Sequence, residues 1–245
     1  MFESPFHHSD PDSDCDSDSD EPKASGTGTG SDVLSLIKEP LMIDFYTSSS
    51  PNGLKVQIML EETGLEYELH RVNLSKGDQK TPEYLKINPN GKIPAIVDRD
   101  ELGGDEVAIF ESGAILLYLA EKSGEFLPVD AIGRWQVISW LMFQMAGIGP
   151  SLAQAGYFLN RAPEPVPHAV ERSINEAERL YGVVDLRLSE AEFLVGDYSI
   201  ADMASYPWMR IHQRFGLDVA EYPNVSRWLE AIAARPAVQR GLAVP

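Results

Sequence analysis

Ile43 to Ile58 reads I-D-F-Y-T-S-S-S-P-N-G-L-K-V-Q-I, and the chain changes character twice inside it. Ile43, Phe45 and Tyr46 are strand formers in a short apolar run. Ser48-Ser49-Ser50-Pro51-Asn52-Gly53 is a turn-rich break. Val56, Ile58, Met59 and Leu60 then supply the apolar face of a helix, with Glu61 and Glu62 expected on its wet side. A strand thus hands over to a helix N-terminus through hydroxyls and one carboxamide. Free N–H groups and partial positive charge at such a terminus suit an anion, and the side chains add neutral donors. Simple capping by Ser50 or Asn52 accounts for the same residues.

Working outward, Tyr67–Asn73 alternates with period two and predicts a second strand. A polar loop over Leu74–Thr81 and a short helical piece at Pro82–Lys86 follow. Pro94 opens a short strand, Ala95-Ile96-Val97, and a Gly-rich turn at Leu102–Glu106 joins it to Val107–Phe110 as a hairpin. Glu111–Lys122 reads as a helix. The order β-α-β-α-β-β-α describes a small α/β domain with a mixed sheet. Beyond Ala131 the strand signal vanishes. Arg134–Leu159 is a long apolar helix with a bend expected at Gly147, Gly149 and Pro150. Further helices are predicted from Pro167 to Glu190, from the Ser199–Asp202 capping box to Ile211, and over Val225–Ala234, with a short one after Pro236. This half is a helical bundle.

The first 32 residues are unlike the rest. They hold nine acids and one base, so −8 of the net charge of −18. Alternating Asp and Ser followed by Gly, Ser and Thr predicts a disordered tail and a flexible linker. Loose metal binding and phosphorylation are the other readings of that tail. Neither it nor the body is basic, which argues against nucleic acid and anionic membranes as partners. The only cysteine, Cys15, makes no intramolecular disulfide; acids stand where a signal peptide would need bases, so none is expected, and no stretch approaches a membrane span. A soluble cytoplasmic protein is the expectation.

Four features accompany the first loop. Lys92-Ile93-Pro94-Ala95 places a proline at a strand entry, where a cis bond would turn the Ile93 backbone outward to pair with a peptide-like ligand. An ordinary turn is the alternative. Glu111-Ser112-Gly113 starts a helix after a strand, offering a second N-terminus for a carboxylate, or a mere cap. Gln79 lies in a polar loop between strand and helix. Together these describe a site for a peptide-like molecule with a carboxylate and an anionic sulfur or oxygen. His70, His168 and His212 show no ligand spacing, and no metal site is expected. Trp135, Trp140, Trp208 and Trp228, with Met142 and Met145, read as core or interface. Tyr46, on the strand, reads as core.

The runs Y-T-S-S-S-P-N-G-L-K, N-L-S-K-G-D-Q, I-N-P-N-G-K-I-P-A-I-V-D, F-E-S-G-A-I-L-L-Y-L-A-E-K and Y-S-I-A-D resemble the glutathione transferases, and the nu class among them. The resemblance spans nearly all of Met42 to Ala243. It implies an α/β thioredoxin-like N-terminal domain over 33–124, an all-α helical C-terminal domain over 131–245, a homodimer, and a pocket for two glutathiones or one glutathione disulfide. It implies a glutathione-dependent disulfide-bond reductase with weak transferase or peroxidase activity, acting on a disulfide or electrophilic small molecule. A lyase or β-etherase of the same class, and a regulatory protein working through its acidic tail, are the alternatives. By position, Asn52 and the hydroxyl of Ser50, or of its neighbours Ser48 and Ser49, would contact the glutathione sulfur, and Gln79 the glycyl carboxylate. Lys92 would lie nearby, and Ile93 would pair with the cysteinyl part before Pro94. Glu111 and Ser112 would hold the γ-glutamyl end, and Arg172 would reach in from the helical domain. Nu-class proteins typically have threonine where this chain has Ser50, which keeps the hydroxyl and loses a methyl that restricts its rotamer. With no cysteine in the loop, any thiol chemistry must use glutathione's own sulfur.

Overall fold

A computed structural model describes residues 43–99 and 105–244. The expected tail over 1–32, Cys15 included, and most of the Leu102–Glu106 turn lie outside the described residues. The strand read from the opening stretch is β1 (Ile43–Thr47), and the helix that follows is α1 (Pro51–Thr63). α1 is the crossover that lets β2 (Tyr67–Arg71) run parallel to β1. β3 (Ala95–Asp98) lies antiparallel on the other side of β1, and β4 (Val107–Phe110) antiparallel beside β3. The order is therefore β2-β1-β3-β4. All four residues of β3 are buried, whereas the edge strand β4 alternates between half-buried and exposed. β2 ends two residues before the predicted Asn73, because the Asn73 carboxamide accepts from Ser75 and Lys76 N–H and turns the chain.

Register decides where the loops go. β1 ends at Thr47, and Tyr46 faces Ala95, the first residue of β3. Ala95 in turn faces Phe110, the last residue of β4. The segments after β1, before β3 and after β4 therefore share one end of the sheet. These carry Ser48–Asn52, Lys92–Pro94 and Glu111–Ser112. α2 (Pro82–Ile87) and α3 (Ser112–Ser123) complete this half.

The helical half comprises α4 (Ala131–Phe143), α5 (Gly149–Asn160), α6 (Pro167–Leu188), α7 (Ile200–Met209), α8 (Pro223–Ala233) and α9 (Pro236–Ala243). The expected bend between Arg134 and Leu159 is a π turn over Gln144–Ile148, just ahead of the residues that cause it. Pro150 offers no N–H, and its ring crowds the carbonyl four residues back, so the ladder widens there. The capping box at the start of α7 forms as read, with Ser199 and Asp202 bonding each other's ends. Asp202 also accepts from Leu194 N–H and from the Trp228 indole, and burial pushes its carboxyl up to about 6.

One expectation is overturned. Glu61 and Glu62 are not on a wet face: α1 is covered by the helical half as well as the sheet. The Glu62 carboxylate is nearly buried against Arg235, at 2.6 and 2.9 Å, and Arg235 lies 3.9 Å from the Tyr198 ring centre. Glu61 pairs with Arg240 at 2.7 Å and accepts from Tyr67 Oη–H. Lys55 and Gln57 are buried on the same helix among its apolar residues.

Candidate active site

Ser50 is the N-cap of α1, its Oγ accepting from Gly53 N–H at 3.0 Å. The capping reading is thus realised, by Ser50 rather than Asn52, and the hydroxyl hydrogen stays available to a ligand. Gly53 has no alternative here, since a Cβ would lie 2.2 Å from Thr47 Oγ1 and 2.9 Å from the Ser48 carbonyl. Asn52, the second residue of α1, meets Trp208 Nε1 at 2.8 Å. An indole nitrogen only donates, so the atom it meets is the carboxamide oxygen and the NH2 is the end left for a ligand. Trp208 belongs to α7, so the helical half orients a side chain of the α/β half. Trp208 and Met145 pack against the main core, as expected, and both also line the site.

Two cavities flank Asn52. The larger, about 840 Å³, is lined by Ser50, Asn52, Gln79, Lys92 and Ile93 and, from the helical half, by Arg161 and Arg214 among others. Three cations and no carboxylate line it, so its potential favours anions. Its volume falls in the ordinary range of small-molecule pockets. Gln79 hydrogen-bonds its own loop through Nε2, at 3.4 Å from the Leu74 carbonyl. The smaller cavity, about 230 Å³, is lined by Asn52, Lys55, Lys92, Ile93, Pro94, Glu111, Ser112, Gln144 and Met145, with Trp208 closing it. The Ile93–Pro94 bond is cis. The carbonyl of Lys92 is held from beneath by Tyr84 Oη–H at 2.6 Å and Asn88 Nδ2–H at 2.7 Å. Tyr84 carries no local sequence mark, and Asn88, though inside the quoted I-N-P-N-G-K-I-P run, was given no role there.

Glu111 opens α3 at φ 71°, the left-handed region, without a side-chain cap. A glutamate held there costs of order 1–3 kcal/mol and is found where the surroundings over-determine it. The first N–H groups of α3 are left to a ligand as a result. Gly113 lets this terminus sit against the π turn, because a Cβ would lie 3.0 Å from Met145 Cγ. Behind Ser112 lies Lys55, to which the sequence reading gave no role. Its Nζ is 2.6 Å from Gln144 Oε1, 3.3 Å from Ser112 Oγ and 3.5 Å from Met145 Sδ. Burial lowers its pKa to about 7, partly opposed by the negative charge of Glu111.

The structure therefore gathers Ser50, Asn52, Gln79, Lys92, Ile93, Pro94, Glu111 and Ser112 around two adjoining cavities. Arg172 is not brought to them: it is exposed on α6 and lines neither. Tyr46 stacks on His70 and packs edge-on against Tyr84, and it too lines neither cavity. His70 is less isolated than its spacing suggested. The parallel register brings it beside Asp44 and Glu68, with ligand atoms within 4.8 Å, but Arg99 already occupies Asp44 at 2.6 Å.

The glutathione S-transferase N-terminal domain profile matches residues 43–121, and the C-terminal domain profile residues 149–236. The disulfide-bond oxidoreductase YfcG of Escherichia coli (strain K12) is 47% identical over 203 residues, covering 82% of this chain and 94% of that protein. A glutathione transferase family member from Pseudomonas fluorescens, solved with two glutathione bound, superposes with a TM-score of 0.80 at 46% identity. The match covers 86% of this chain and 96% of that one. A glutathione transferase from Pseudomonas putida, with one glutathione disulfide bound per subunit, gives 0.81 at 43% identity, over 86% of this chain and 94% of that one.

Proposed function

From the premise that this chain belongs to the glutathione transferase family, we propose that it is a glutathione-dependent disulfide-bond reductase. The observation that carries the reading is Asn52. Its carboxamide is turned by Trp208 to offer N–H donors at a helix N-terminus, between a carboxylate-receptive cavity and a larger cationic one. YfcG, the relative at 47% identity, and the neighbours solved with glutathione or its disulfide support it.

In this reading glutathione lies with its γ-glutamyl end at Glu111 and Ser112 and its glycyl carboxylate towards Gln79 and Lys92. Its cysteinyl part runs along the Ile93 backbone before Pro94, and its sulfur sits at Ser50 and Asn52. A free thiol is only a few per cent thiolate at neutral pH. Lowering its pKa by about two units stabilises the anion by roughly 2.7 kcal/mol. Asn52 N–H, Ser50 O–H and the α1 terminus supply that stabilisation. The thiolate attacks one sulfur of the substrate disulfide, a new S–S bond forms, and the other sulfur leaves as a thiolate that takes a proton. A second glutathione thiolate then attacks the glutathione sulfur of the mixed disulfide. Glutathione disulfide and the second reduced thiol leave. The larger cavity, with Lys92, Arg161 and Arg214, suits the carboxylates of the second glutathione. Arg172 is given no role.

The rest of the reading is a homodimer in the cytoplasm, where thiols are kept reduced. A face of α4 supports the dimer: Ile132 and Trp135 are 76% and 65% exposed, with Met142 on the same side. No helix among the described residues is long and apolar enough to cross a membrane. The glutathione-binding domain ends near Gly124, after α3.

The test is turnover of a small symmetric disulfide with glutathione, against conjugation of an aryl halide and cleavage of a β-aryl ether. Disulfide turnover as the dominant activity is expected. Robust conjugation without it would make the protein an ordinary transferase, and ether cleavage without it a lyase.

A further inference from the structure

We propose that Lys55 and Gln144 form a positioning pair for the γ-glutamyl carboxylate, presenting the Ser112 hydroxyl to it and tying that subsite to the helical half. The proposal rests on the glutathione reading above and adds residues that it does not use.

Lys55 is 1% exposed, and its ammonium is spent on groups from elsewhere in the chain. Ser112 lies 57 residues away at the start of α3, and Gln144 lies 89 residues away at the start of the π turn. In its protonated form Lys55 donates and never accepts, so Ser112 Oγ then meets it with a lone pair. The Ser112 hydrogen is thereby sent elsewhere. Without a ligand it lies towards Met145 Sδ at 3.7 Å, a weak acceptor. A carboxylate in the smaller cavity is a far better one and takes that bond over. Lys55 lines the smaller cavity, but it is buried and its Nζ is already engaged by Ser112 and Gln144, so it acts on the ligand through Ser112 as a positioning residue.

Gln144 fixes the lysine. Its Oε1 accepts from Lys55, while its buried Nε2 has no partner among the described residues. A buried ammonium beside a half-satisfied carboxamide is a poor way to stabilise a fold, and apolar side chains of similar volume do as well or better. The arrangement makes sense if binding, not stability, is what it serves. Gly149, the residue after the π turn, lies beside the other subsite. At Gly149 a Cβ would sit 3.0 Å from Gln144 Nε2 and 3.6 Å from Trp208 Nε1, the group that orients Asn52. The stretch from Gln144 to Gly149 therefore lies behind both the carboxylate end and the sulfur end.

The experiment compares glutathione with an analogue lacking only the γ-glutamyl α-carboxylate, by calorimetric titration of the full chain, with Tm measured alongside. The parent is expected to prefer glutathione. Lys55→Met is expected to lose roughly tenfold or more of that preference, while Tm holds or rises. Gln144→Met, which leaves the ammonium without its closest acceptor, should lose preference in the same direction. If Lys55→Met does not fold, Gln144→Met decides alone. Undiminished preference in a folded variant overturns the proposal, and a lower Tm with unchanged preference marks Lys55 as structural. No glutathione binding by the parent overturns the parent reading itself, and this proposal with it.

Discussion

Two helix N-termini meet at one end of the sheet, and they are finished differently. α1 is capped by its own Ser50, and the half-buried Asn52 carboxamide is held from the other half by Trp208. α3 has no side-chain cap, starts on a left-handed glutamate, and has a buried ammonium behind its first hydroxyl. A capped terminus keeps few spare N–H groups and works through what its side chains present. An uncapped one holds an anion directly. The first suits a thiolate whose charge must be tuned, the second a carboxylate whose charge never changes. In the proposed function α1 governs turnover and α3 governs affinity.

The sharpest way to break that division is Asn52→Ala. Losing a hydrogen bond to a charged group costs about 1.5–3 kcal/mol, so disulfide turnover should fall roughly 10–150-fold. Glutathione affinity by titration should change far less, and the pH optimum should move up towards the free thiol's pKa. Tyr46→Phe is the control and should leave turnover near normal. The reverse pattern would mean a tyrosine activates the thiol. Ser50→Ala is a less clean probe, because it also removes a cap worth about 1 kcal/mol of stability.

Ser112→Ala tests the other terminus. Glutathione affinity should weaken about tenfold, with turnover at saturation nearly unchanged. A variant that loses turnover but not affinity would erase the distinction between the two termini.

Lys55 links α3 to stability. Its folded pKa, lowered to about 7, lies below the unfolded value of 10.5. Between those values the unfolded chain binds the extra proton, so this group's destabilising contribution is full below about 7 and fades as pH rises. The stability advantage of Lys55→Met over the parent should therefore be larger at pH 6 than at pH 9, read as urea midpoints. Equal differences at both pH values would place the ammonium in contact with water.

The smallest effect is expected from Trp208→Phe, which keeps a ring and removes the indole N–H. The Asn52 carboxamide then loses its anchor, and turnover should drop a few-fold with affinity intact. No change would mean that packing alone orients Asn52.

Much of this was open to reading along the chain because its causes are local. The period-two run at Tyr67, the proline at each strand or helix entry, and the Ser199 capping box act over a few residues, and the elements formed where they pointed. The resemblance rested on such local runs, and eight of the site residues it named stand around the two cavities. Arg172 did not follow, because a place on a helix does not say which way the helix faces.

What only the tertiary structure decided has one physical cause: burial is set by what packs against a face from far along the chain. Lys55, Gln57, Glu61 and Glu62 are polar positions of α1 that are buried or paired only because α7, α9 and the π turn pack against it. The partnership of Asn52 with Trp208 spans 156 residues, and that of Lys55 with Gln144 spans 89. Local sequence determined which groups exist at each helix start. Only the docking of the helical half against the sheet decided which of their donors were already engaged and which were left for a ligand.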